Sequence, residues 1–122
     1  MRNLKVLLLA VGLLLSSNQI AFAHAELIKS FPVANSTLTK SPSFIQLEFG
    51  ETLTTLRSKT VNSITILDSN SHKIATSKIL VKKGIARVEI IDKLKLGRYS
   101  IKYRVVSADG HVLKSQFKFT LR

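Results

Sequence analysis

Between Arg98 and Ser107 the side chains alternate. Tyr99, Ile101, Tyr103 and Val105 fall on one side of an extended chain, and Ser100, Lys102, Arg104 and Val106 fall on the other. No other feature constrains the fold as much, because a long strand with one apolar face needs a sheet for its hydrogen bonds and a second layer over that face. Shorter runs obey the same rule. Phe44 to Phe49 sets Ile45, Leu47 and Phe49 opposite Phe44, Gln46 and Glu48, and Val61 to Leu67 reads as a strand ended by the turn formers Asp68-Ser69-Asn70-Ser71. Lys73 to Val81 and Ile85 to Ile91 alternate about Lys82-Lys83-Gly84 and read as a hairpin. Ala25 to Ser30 reads as an edge strand, stopped by Phe31-Pro32 where proline removes a donor. His111 to Leu121 closes the chain with Val112, Phe117, Phe119 and Leu121 on a final strand. Residues 34–42 read as loop. Thr52 to Ser58 is either a helical turn or an irregular crossing, since Leu53 and Leu56 stand three apart. About seven short strands with turn signals between them and no long helix predict one small all-β domain, an antiparallel Greek-key barrel or sandwich.

The first stretch has the three parts of an export signal. Arg2 and Lys5 are basic, Val6 to Leu15 is apolar, and Ala21-Phe22-Ala23 is a small-x-small cleavage site. The apolar run of about ten residues is half of what a membrane span requires, so residues 1–23 are expected to be removed and residues 24–122 to form the exported domain. Ala23-His24-Ala25 is a rival site that would begin the chain at Glu26; the first is preferred because it lies closer to the apolar run and fits both small positions.

The formal charge of +12 drops to about +10 once Arg2 and Lys5 leave, a large value for one small domain. The lysines alternate with apolar residues along the chain and read as solvated strand faces guarded against edge pairing. Two tyrosines and six phenylalanines sit in alternating core positions, which argues against a base-stacking platform and against nucleic acid as a partner.

Cysteine is absent and the single methionine is Met1, so the exported chain offers only the harder nitrogen and oxygen donors. Asp109 and His111 are two apart and share a side of an extended backbone, and Gly110 between them leaves room for an approaching group. Cleavage after Ala23 makes His24 the first residue. Its free amine, with a reference pKa of roughly 7.7 to 8.0, and its own ring Nδ1 would close a six-membered chelate on a metal. With the His111 ring and an Asp109 oxygen added, the set is nitrogen-rich and tetragonal and points to Cu(II). His72 stands in a polar turn and is left out. Ser107, Asp109 and His111 carry the letters of a hydrolase triad, yet along an extended strand Ser107 and His111 would stand about 13 Å apart, at roughly 3.3 Å per residue.

Taken in order, a signal segment, His24-Ala25-x-Leu27, Ser30-x-Pro32, Leu47-Glu48-Phe49-Gly50-Glu51, Gly97-Arg98-Tyr99, Tyr103 through His111 and Phe117-Lys118-Phe119 resemble the periplasmic copper-resistance proteins of the CopC type. The likeness covers essentially all of the exported chain. It implies an immunoglobulin-like Greek-key β-barrel, a monomer that binds Cu(II) in the periplasm, buffers or delivers it, and works alongside an inner-membrane copper importer of the CopD type. It also implies that His24 supplies amine and ring, that His111 supplies a second ring, that Asp109 is a ligand or orients the site, and that Glu51 lies near the metal. Tyr103 stands where such proteins commonly have tryptophan. A methionine-rich Cu(I) site found in some members has no counterpart here. The expected role is non-enzymatic. The alternatives are an immunoglobulin-like assembly or adhesion module whose Asp109-Gly110-His111 is only a turn, and a copper monooxygenase with an N-terminal histidine, for which little chain is left over.

Overall fold

In the computed structural model, residues 26–57 and 59–122 are described, and they form eight strands: β1 (Leu27–Phe31), β2 (Thr37–Leu38), β3 (Phe44–Phe49), β4 (Ser63–Leu67), β5 (Leu80–Lys82), β6 (Ile85–Glu89), β7 (Gly97–Val106) and β8 (Val112–Leu121). The export-signal reading and His24 lie outside these residues. The strands make two four-stranded sheets, ordered β1-β3-β6-β5 and β2-β8-β7-β4.

The alternation of β7 does what its sequence requires. Tyr99, Ile101, Tyr103 and Val105 are buried, and they meet Ile45, Leu47 and Phe49 of β3, Ala86 and Val88 of β6, Ile64 and Ile66 of β4 and Phe119 and Leu121 of β8 in one core. The Phe49 and Tyr103 rings meet edge-on across the two sheets at 5.7 Å, and Tyr99 stacks on its cross-strand neighbour Phe119 at 5.3 Å. β7 and β8 pair without a slip from Gly97↔Leu121 to Val106↔Val112, so the bend between them is held by a long ladder.

Three details differ from the sequence reading. β2 lies inside the expected loop and pairs in parallel with β8, Thr37 against Thr120 and Leu38 against Leu121, so this sheet is mixed and the strands number eight among the described residues. Lys73 to Val81 is not one strand: Ile74 N–H donates to the Ile66 carbonyl in one sheet, whereas Ser77 N–H donates to Glu89 in the other, and only Leu80–Lys82 pairs regularly. A segment that must step between sheets cannot keep one ladder. The same reason decides the stretch from Thr52, which is an irregular crossing: Leu53 N–H donates to Lys83 in the first sheet, and Thr54 N–H donates to Val106 in the second. Leu53 is buried in the core and Leu56 is exposed, so the two do not share the face a helical turn would give them.

Candidate metal centre

The bend after β7 is tight. Gly110 N–H donates to the Ser107 carbonyl and Ser107 N–H to the His111 carbonyl, each at 2.9 Å. Gly110 has φ of 89°, a region where a side chain would strain the backbone, so glycine is needed here. The crossing segment braces the bend from outside: Ala108 N–H donates to the Thr52 carbonyl, and the Thr54 hydroxyl donates to the Ser107 carbonyl at 2.8 Å.

Asp109 and His111 are brought together by this bend. The Asp109 Oδ2 lies 2.8 Å from His111 Nδ1, and Oδ1 accepts from the His111 backbone N–H at 3.1 Å. Oδ1 also accepts from the hydroxyl of Ser107, which is fully buried. That hydroxyl, then the His111 ring and its backbone N–H, hold the Asp109 carboxyl well below the usual carboxylate range. The side chains remain 43% and 56% exposed, so the pair is built from below and still reached by solvent. With the carboxylate on Nδ1, a neutral ring carries its proton there and its lone pair on Nε2.

The bend also revises the reason for setting a hydrolase aside. Ser107 is not 13 Å from His111, because the chain turns between them and the Ser107 hydroxyl comes 3.4 Å from the His111 carbonyl oxygen. The order of contacts rules the triad out instead. The carboxylate sits between hydroxyl and imidazole, whereas nucleophilic catalysis needs the imidazole in the middle and the hydroxyl accessible. Ser107, in the sequence a triad letter and a member of the Ser-x-Asp-Gly-His block, is thus a support, a role consistent with the local side-chain bonding of serine in turns.

Glu51 stands at the same end, half-buried at the start of the crossing segment. Leu53 bridges Ser107, and Glu51 and Asp109 each lie two residues beyond that bridge in the same direction. No three His, Asp or Glu side chains among the described residues are grouped closely enough to hold a metal, so Glu51 does not complete a set with Asp109 and His111. The backbone around Glu51 is clamped by the β5–β6 hairpin, where a Cβ on Gly84 would fall 2.6 Å from the Phe49 carbonyl oxygen and 2.8 Å from that of Glu51. β1 begins here too: Gly50 N–H donates to the Glu26 carbonyl at 3.0 Å. His72 is at the far end of the molecule, beyond the end of β4 that pairs with the start of β7.

Residues 27–122 match the CopC domain family. The chain belongs to the CopC family. It is 31% identical over 120 residues to copper resistance protein C of Escherichia coli, covering 94% of each chain. It is also 31% identical over 104 residues to the copper transport protein CutJ of Bacillus subtilis, a match that takes in 83% of this chain and only 18% of that longer protein. The crystal structure of PcoC, a methionine-rich copper resistance protein from Escherichia coli, superposes with a TM-score of 0.66 at 28% identity, covering 82% of this chain and all of PcoC. CopC-type architecture thus agrees with the sandwich seen here. The one methionine of this CopC chain is Met1, so it shares none of the methionine richness of PcoC.

Proposed function

We propose that this CopC-family protein binds Cu(II) at the end of the sandwich where β7 turns into β8, and that it buffers or delivers copper in the periplasm without catalysing a reaction. The observation that carries the reading is the Asp109–His111 contact at 2.8 Å, backed by a buried hydroxyl and open to solvent. Asp109 has both oxygens engaged, so its part is to orient the ring and raise its basicity, while His111 Nε2 meets the metal. Glu26 supports the involvement of His24. It lies at this end through Gly50, whose neighbour Glu51 leads into Thr52 and so to Ala108. Two further residues reach about 7 Å at roughly 3.3–3.6 Å per residue. The proposed set is the His24 amine and ring, the His111 ring, and Asp109 behind it, with Glu51 an outer carboxylate. The protein works as a monomer, with an inner-membrane transporter of the CopD type as the partner that takes the ion.

The test is a Cu(II) titration of the exported protein read by EPR. One ion per chain with an axial, nitrogen-rich spectrum is expected, and His24→Ala or acetylation of the N-terminus should weaken binding sharply. Unchanged affinity in either case overturns the ligand set, and an intact mass beginning at Glu26 removes the chelate altogether.

A further inference from the structure

The two sheets differ in charge. Every carboxylate of the chain lies outside β2, β4, β7 and β8: Glu48 and Glu89 are on the first sheet, Glu26, Glu51 and Asp109 are at the proposed copper end, and Asp68 and Asp92 are on connections. The second sheet carries Arg98, Lys102 and Arg104 on β7 and Lys114 and Lys118 on β8. Each alternates with a core-facing neighbour, so all five project from the outer face. Register brings them together, pairing Arg104 with Lys114 and setting Ser100 against Lys118 and Lys102 against Gln116. Lys102, Arg104 and Lys114 share a shallow depression of about 380 Å³ with Ser63, Thr65 and Gln116. Three lysines and two arginines that are dispersed along the chain therefore share one basic face.

We infer that this face docks on an anionic phospholipid surface. At strand spacings near 4.8 Å and about 3.3 Å per residue, the five cations are rooted over roughly 5 by 20 Å, so neighbours lie within a Debye length of about 8 to 10 Å and act together. The face is a broad sheet surface with only a shallow depression, which suits headgroups, and among the described residues no helix projects from it to enter a nucleic-acid groove. It also lacks a stacking platform, since Tyr103 and Phe119 are buried and Phe117 packs against the core. Hydroxyls and amides of Ser63, Thr65, Ser100 and Gln116 lie among the cations as donors for phosphate oxygens. The strands would lie along the membrane and the Asp109–His111 bend at the rim of the contact, open sideways.

Co-sedimentation of the metal-free exported protein with vesicles tests this without relying on copper binding. Vesicles of phosphatidylcholine with phosphatidylglycerol should pellet it at low salt, pure phosphatidylcholine should not, and binding should fall steeply as salt rises. Each basic residue near such a surface is worth about five-fold in affinity, so Lys102→Glu with Lys114→Glu should weaken binding by at least about 25-fold. Lys29→Glu with Lys82→Glu makes the same change in net charge on the first sheet and should leave most of the binding intact. Circular dichroism of each double variant shows that the fold is retained. Equal loss in both pairs would reduce the effect to net charge and overturn the docking face. Failure to bind anionic vesicles, or binding to duplex DNA with no vesicle binding, would overturn the lipid surface.

Discussion

The two ends of the sandwich each carry an aspartate and a histidine in a turn, and they are not equivalent. At one end Asp109 Oδ2 stands 2.8 Å from His111 Nδ1; at the other Asp68 Oδ2 stands 3.6 Å from His72 Nδ1, and the His72 side chain is 77% exposed. Both carboxylates accept a backbone N–H from their own histidine, and Asp68 takes a second from Asn70. The difference is what stands behind them. Asp109 has the buried Ser107 hydroxyl and a bend braced by the crossing segment, whereas Asp68 is tied only into its own exposed turn. A hollow of about 550 Å³ is at the Asp68 end, lined also by Asp92, Lys93, Lys95 and Arg98. Size therefore points one way and preorganisation the other. For a single ion, fixed donors matter more than volume.

The largest effect that separates the ends is on copper. His111→Ala should lower Cu(II) affinity beyond the roughly 10–100-fold that loss of a supporting partner costs, while His72→Ala should leave it unchanged in a competition titration. Equal effects would abolish the distinction. Asp109→Asn should fall within that roughly 10–100-fold range and Asp68→Asn should have none, because only the first carboxylate sets the tautomer of a proposed ligand. Next comes stability. Gly84→Ala pushes a methyl into two backbone carbonyls around Glu51 and should cost about 1–3 kcal/mol by denaturant unfolding, with the Asp109 end disturbed more than the Asp68 end in amide exchange.

The smallest effect is on pH dependence in the metal-free protein. The folded-state carboxyl of Asp109 is lowered, so its contribution to stability is complete above the ordinary carboxylate value of about 4 and is lost as pH falls below it. Ser107→Ala should move that titration back toward the ordinary range, as read by carboxyl NMR. A titration unmoved by the substitution would mean that the hydroxyl is not what holds the carboxylate.

Much of the fold was legible because alternation is local. The faces of β3 and β7, the end of β1 at Phe31 and the turn after β4 all follow from period two and from turn chemistry, whatever the rest of the chain does. Asp109 and His111 were legible as a pair for the same reason, being two residues apart. Glu51 lies at the end that carries Asp109 and His111 without completing a set with them, and one-dimensional order says nothing of how far a side chain stands from a bend across the sheet. The parallel pairing of β2 escaped notice because two residues carry no period, and their register comes entirely from β8.

By itself the sequence settled that the protein is all-β, which residues fill its core, and that it is a CopC-type chain, because each of these rests on residue types at short spacings. Tertiary structure alone decided what lies beside what: the Ser107 hydroxyl beneath Asp109, the crossing segment bonded to both the β5–β6 hairpin and the β7–β8 bend, and five cations gathered on one sheet. Alternation assigns a side chain to a face, but only pairing between strands distant in the chain determines its neighbours, and charge and coordination depend on neighbours.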